Sequence, residues 1–221
     1  MAQLAAEDAM TVGSLTPREA LERLLEGHRR FHNDEHQHGS GIDWQRRLEL
    51  TEGQAPFAAL IGCADSRVAP PIVFDAGLGD LFVCRNAGNQ VDSLTVGSIE
   101  FAVAEAGCTL VAVKGHSSCG ALTATVDAVR DPAQIASPSL ADVVLRLLPA
   151  ALTTRPANDD RAAWIDAAAR ENVRRTCYEL LDRSRLLSDK VEAGELGVVG
   201  LWYDLATCNL EVIVPLVDDT R

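Results

Sequence analysis

The 221-residue chain is 47% apolar and 24% charged, the balance of one globular domain large enough for a substantial core. Its net charge of −12 is unbroken by any cluster of Lys or Arg, which argues against nucleic acid and anionic membrane surfaces as partners. Met1–Thr11 has neither a basic flank nor a long apolar run, so no signal peptide or membrane span is expected and the predicted compartment is the cytoplasm.

Residues 1–14 read as a flexible tail, 15–217 as a single domain and 218–221 as a second tail, in which Asp218-Asp219 serves solubility. Thr16-Pro17-Arg18-Glu19 is a helix start: Thr16 as N-cap, Pro17 at N1 and Glu19 completing a capping box. That helix carries Leu21, Leu24 and Leu25 on one face and runs to about His32, after which Asn33–Gly41 is polar. With one apolar face it reads as an N-terminal helical arm. Residues 57–63 form a nearly all-apolar strand, as expected where both faces are covered. Pro70-Pro71 opens a short helix ending near Gly77, a strand follows over 80–85, and Asn86-Ala87-Gly88-Asn89 is a loop. Ser93–Ala106 has helical spacing, 109–114 is a strand, and Ala121–Val129 is a helix.

Ser137–Leu148 and Trp164–Leu187 are predicted helices separated by the polar stretch 153–160. Strands over 197–203 and 210–216, with a turn near Thr207-Cys208-Asn209, close the chain as a hairpin. Alternating strands and helices predict an α/β fold: a central, mostly parallel β-sheet with an antiparallel edge strand, flanked by helices, with an N-terminal helical arm.

Chemistry concentrates in two segments about fifty residues apart, Cys63-Ala64-Asp65-Ser66-Arg67 and His116-Ser117-Ser118-Cys119-Gly120. Each follows an apolar strand, and strand C-termini of a parallel sheet share one edge, so the two segments read as one site. Two thiolates and one imidazole form the ligand set of a catalytic zinc with its fourth position open. Cys119, three residues after His116, sits where strand turns into helix and gains thiolate character there. Two thiolates cancel the formal charge of the metal, which predicts best activity at neutral-to-alkaline pH. Cys63, Asp65 and Arg67 alternate along an extended segment and can face one side. Asp65 then either takes the fourth metal position or is held away from it by a bidentate pair with Arg67. The remaining cysteines, Cys84, Cys108, Cys177 and Cys208, are read as structural and unbridged.

With Cys63-x-Asp65-x-Arg67 and His116-x-x-Cys119-Gly120 both in place, the chain resembles the β-class carbonic anhydrases, in their plant-like subtype of bacterial type. The similarity covers most of residues 18–215, including Phe31 and Arg85-Asn86-Ala87-Gly88. It implies one Zn²⁺ per chain on Cys63, His116 and Cys119, with Asp65 a ligand only in a closed state, and Asp65–Arg67 as catalytic dyad. The implied reaction is reversible hydration of CO₂ to bicarbonate and a proton, by attack of zinc-bound hydroxide on CO₂ in an apolar pocket. The resemblance further implies Gln54 and the Gly120 N–H as substrate donors. It puts Phe82, Ala87 and Phe101 in an apolar pocket built across a dimer interface, and makes a homodimer the minimal unit, with a homotetramer compatible. Phe101 stands where a tyrosine is common, and Leu60 where the bicarbonate-inhibited subtype carries tryptophan.

Two rival readings remain at this point. One is another zinc lyase or hydrolase acting on a CO₂-like molecule such as CS₂; the other is a zinc-stabilised binding protein with Asp65 fixed on the metal. His28, His32, His36 and His38 form a tract that is read as a solvated helix end and loop, given charged neighbours Arg29, Arg30, Asp34 and Glu35.

Overall fold

Strands β1 (Ala58–Cys63), β2 (Leu81–Asn86), β3 (Leu110–His116), β4 (Gly197–Tyr203) and β5 (Leu210–Val217) form one sheet in a computed structural model of the chain. Their order is β2-β1-β3-β4-β5, parallel except for the antiparallel pair β4–β5. The structure describes residues 15–37, 41–158 and 160–218. The expected tail over 1–14 and His38 lie outside them.

β1, β3 and β4 are buried along their whole length, which is why they read as unbroken apolar runs. Alternate residues serve opposite faces. Ala59, Ile61, Val111, Val113 and Val198 pack against α4 (Ser93–Ala104), α7 (Arg161–Arg183) and α8 (Arg185–Glu192). Ala58, Leu60, Leu110, Ala112, Val199 and Leu201 face α1 (Pro17–His32) through its Ala20 and Leu24. The capping box of Thr16 and Glu19 starts α1 as the sequence predicts. Its apolar face covers this chain's own sheet, with Leu21 and Leu25 partly buried beside Leu24.

A third cluster sits at the C-terminal end of the strands. Cys63, Cys119, Trp202 and Tyr203 join Leu122 and Val126 of α5 (Gly120–Arg130), Leu147 of α6 (Pro138–Thr153) and Trp164 of α7. From β1 the chain crosses to β2 on one side, and from β3 to β4 on the other. The gap between β1 and β3 is therefore the topological switch point, where open parallel sheets place their ligand crevice.

The structure departs from the sequence reading at several elements. Helix α2 (Trp44–Glu49), capped by the Asp43 side chain on Arg46 N–H, was not expected; it buries no residue and so leaves no apolar stripe. The helix predicted to stop at Leu148 runs through Pro149 to Thr153. Leu147, Ala150 and Ala151 are buried there, and the indole N–H of Trp164 donates to Ala151 O at 2.7 Å, so packing outweighs the proline's missing bond. The helix predicted over 164–187 is two helices, broken at Ser184, whose hydroxyl accepts from Leu187 N–H and caps α8. α3 (Pro70–Val73) ends short of Gly77.

Candidate metal centre

Register brings the two motifs together. Gly62 pairs with Lys114 across β1 and β3, so Cys63 and His116 leave adjacent strand ends. Cys119 N-caps α5 on the turn that follows. Cys63 Sγ lies 3.9 Å from Cys119 Sγ, and the donor atoms of Cys63, His116 and Cys119 all fall within 4.8 Å of one another, all three residues buried. Among the described residues this is the one cluster of three or more metal-type side chains with that spacing.

The imidazole orientation tests whether a metal fits. His116 Nδ1 lies 2.9 Å from Ser117 O, which assigns the proton to Nδ1 and leaves Nε2 with a bare lone pair. That Nε2 is buried without a hydrogen-bond partner. A buried lone pair without a donor costs about 1–3 kcal/mol; a cation among two thiols and this nitrogen removes that cost. Soft sulfur with imidazole in a three-residue set fits zinc with one position left over.

The thiols differ. A hydrogen bond with Cys119 lowers Cys63 against the opposing effect of burial, and the Gly88 N–H, which donates to Cys63 Sγ at 3.5 Å, lowers it further. Its bond with Cys63, together with burial, raises Cys119. Gly88 has φ +80, and a Cβ there would meet Leu147 Cδ1 at 2.8 Å; only glycine brings this N–H so close.

Asp65 is held by Arg67. Arg67 Nε donates to Oδ1 at 2.9 Å and a terminal guanidinium nitrogen to Oδ2 at 2.6 Å, while the Arg67 backbone N–H donates to Oδ1 at 2.9 Å. The same guanidinium reaches Ser118 O at 3.2 Å, tying the two motifs. These bonds hold the Asp65 carboxyl far below the usual carboxylate range. His116 Nε2 stands 4.0 Å from Asp65 Oδ2, so the carboxylate borders the metal position while engaged elsewhere. Of the two states open to Asp65, the structure has the Arg67-paired one.

Two supports went unassigned in the sequence. Arg85 Nε donates to Cys63 O at 2.9 Å and its terminal nitrogen to Asp65 O at 2.6 Å. Lys114 is buried in β3, its Nζ donating to Val68 O at 2.9 Å beneath the dyad turn; burial, helped by Arg85, pushes the ammonium down to about 7. One charged residue inside an otherwise apolar strand was the signal for Lys114.

The remaining predicted site residues separate into two groups. Ala87 and Gly120 border the centre and line one apolar groove of about 440 Å³ with Ala124, Ile135, Leu140 and Val143. Phe82 and Phe101 meet with tilted rings, centroids 6.1 Å apart, on the outer flank of β2, with Phe101 half exposed. Phe82 pairs with Ala59, four residues before Cys63. Gln54 is exposed ahead of β1, at the opposite end of the sheet from Cys63. This chain's own fold does not bring Gln54, Phe82 and Phe101 to its own metal centre.

The histidine tract is also corrected. His28 is 7% exposed, its Nδ1 3.1 Å from Val73 O and its ring edge-on to Tyr203. It belongs to the core rather than to a solvated helix end. His32 and His36 are exposed. All six cysteines are free, Cys108 and Cys177 fully buried, and burial raises each of those two thiols to about 12. No helix among the described residues is long and apolar enough to cross a membrane.

Comparison with known proteins agrees with this geometry. The carbonic anhydrase family model matches residues 58–210. Carbonic anhydrase 2 of Mycobacterium tuberculosis is 40% identical over 190 residues, 86% of this chain and 89% of that protein. The carbonic anhydrase of Mycolicibacterium smegmatis is 40% identical over 197 residues, 89% and 93% of the two chains. Among solved structures, a tetrameric β-carbonic anhydrase of Sordaria macrospora superposes with a TM-score of 0.67 at 27% identity, over 75% of this chain and 84% of its own. The chain therefore belongs to the β-carbonic anhydrase family, whose membership implies reversible hydration of carbon dioxide.

Proposed function

We propose that the chain interconverts CO₂ and bicarbonate at a zinc ion held by Cys63, His116 and Cys119, with Asp65 and Arg67 as the catalytic dyad. The observation that carries this reading is the buried, partnerless Nε2 of His116 beside two thiols. Zinc, when bound, supplies a Lewis acid that makes water nucleophilic near neutral pH.

The side chains do the rest. Arg67 fixes the Asp65 carboxylate by both oxygens, and one of these borders the metal position. Asp65 accepts a hydrogen bond from the attacking water and turns its lone pair toward the carbon of CO₂. Because the dyad stays ionised, Asp65 acts as an orienting acceptor, and the proton released leaves to buffer. Gly120 opens α5, where helix geometry leaves an N–H without an intrahelical acceptor; it donates to a substrate oxygen.

Gln54, Phe82 and Phe101 serve the same reaction from a second copy of the chain. Each is too far from its own Cys63, and all three reach a site only if subunits share it. A homodimer is thus the smallest active unit, and a homotetramer contains it.

Stopped-flow hydration of CO₂ by the zinc-loaded protein tests the reading. Activity should rise from neutral to alkaline pH, since two thiolates reduce the metal's pull on water. Stoichiometric zinc without hydration anywhere in that range would contradict it.

A further inference from the structure

The peptide joining Ala87 to Gly88 has one end in the metal centre and the other on a side chain given no role above. Its N–H, that of Gly88, donates to Cys63 Sγ at 3.5 Å. Its carbonyl, that of Ala87, accepts from Gln90 Nε2 at 2.8 Å. A planar trans peptide points these two groups in opposite directions, so fixing the carbonyl aims the N–H.

Gln90 is well placed to fix it. The residue is 8% exposed, and the same Nε2 reaches Val143 O of α6 at 3.3 Å. The Asn86 carboxamide accepts from the Gln90 N–H through Oδ1 at 2.7 Å and donates from Nδ2 to the Gln90 carbonyl at 2.9 Å. The next peptide is anchored as well, by Asn172 Nδ2 of α7 on Gly88 O at 2.8 Å. The loop is thus clamped from α6 and α7, and its one amide aimed at the centre is the one whose carbonyl Gln90 holds.

We propose that Gln90 is a positioning residue for the metal-binding thiolate: acting through the Ala87–Gly88 peptide, it aims an N–H at Cys63 Sγ and tempers that sulfur's electron donation. The inference rests on the metal centre proposed above. A donor on the carbonyl also polarises the peptide, strengthening its N–H toward sulfur. Partners one bond beyond the ligands typically change metal affinity by about 10–100-fold.

The test uses the full chain, nitrogen-labelled and loaded with NMR-active cadmium, read by proton–cadmium correlation. In the natural protein the Gly88 amide proton should couple to cadmium through Cys63 Sγ, beside the Cβ protons of Cys63 and Cys119. In Gln90→Met, similar in length but without a donor, the Gly88 coupling should vanish and cadmium affinity fall about 10-fold, while both cysteine couplings persist. A purely structural Gln90 would lower the melting temperature and leave the Gly88 coupling intact; that result overturns the proposal. So does a natural protein lacking the Gly88 coupling while the cysteine couplings are present. If Gln90→Met does not fold, Gln90→Glu carries the same test with an unchanged chain length. Absence of any cadmium coupling to Cys63 would instead overturn the metal centre itself, and this inference with it.

Discussion

Gln54 and Cys63 stand at opposite ends of β1, with the whole strand between them. At about 3.3 Å per residue that strand alone is roughly 16 Å long, beyond the reach of a glutamine side chain. If Gln54 donates to substrate, it does so in another subunit's site. Mixed dimers of Gln54→Leu and Cys63→Ser then regain activity, because each carries one site with an intact metal set and an intact donor. After random exchange of equal amounts, about a quarter of natural activity should return, as a two-fold interface dictates. No gain over the separate variants would place Gln54 outside the reaction.

On the proposed reading, Asp65, paired to Arg67 through both carboxylate oxygens, orients the attacking water rather than ligating the metal. Asp65→Ala and Arg67→Ala should each lower CO₂ hydration by about 100-fold, the cost of a misoriented nucleophile, while zinc content stays near one per chain. Cys63→Ser and Cys119→Ser should lose zinc as well as activity. Metal analysis beside the rate assay separates the two classes, and unchanged turnover in the dyad variants would remove the pair from the mechanism.

Thiol reactivity should report the same electrostatics. Cys63 is the lowered thiol of the set, whereas burial holds Cys108 and Cys177 at about 12. Since the thiolate is the nucleophile, a small alkylating agent should modify Cys63 first in the metal-stripped protein and spare Cys108 and Cys177 until unfolding. Zinc should protect Cys63. Mass spectrometry of the labelled peptides checks the order.

Asp127 of α5 and Arg161 at the start of α7 pair through two bonds of 2.7 and 2.6 Å. The Arg161 side chain holds the Asp127 carboxyl below its ordinary value. The unfolded chain therefore takes up this proton first as pH falls. The pair's contribution is full above about pH 4 and is lost as pH drops through the folded value. The partners are partly exposed, so the effect is small. Asp127→Asn should lower the melting temperature by roughly a degree or two near neutral pH, and by nothing measurable in strong acid. An equal shift at both pH values would contradict the linkage.

The meeting of Cys63, His116 and Cys119 was legible because these residues mark strand ends. Cys63 and His116 each close an apolar run, and parallel pairing forces such ends onto one edge. Elements fixed by tertiary packing were harder to read. Pro149 reads as a helix stop, yet buried Ala150 and Ala151 carry the helix past it. Ser184 reads as one more polar position in a long helix, and only its cap on Leu187 N–H reveals the break. His28 sits among charges in sequence, but α1 turns it inward against Tyr203. Gln90 and Arg85 act through backbone carbonyls, which no side-chain pattern records.

The most direct test of the metal centre is X-ray absorption at the zinc edge on the zinc-loaded protein. The donor set of Cys63, His116 and Cys119 predicts two sulfurs at about 2.3 Å and two nitrogen or oxygen atoms at about 2.0–2.1 Å. A shell of three or four sulfurs, or one without sulfur, would contradict it.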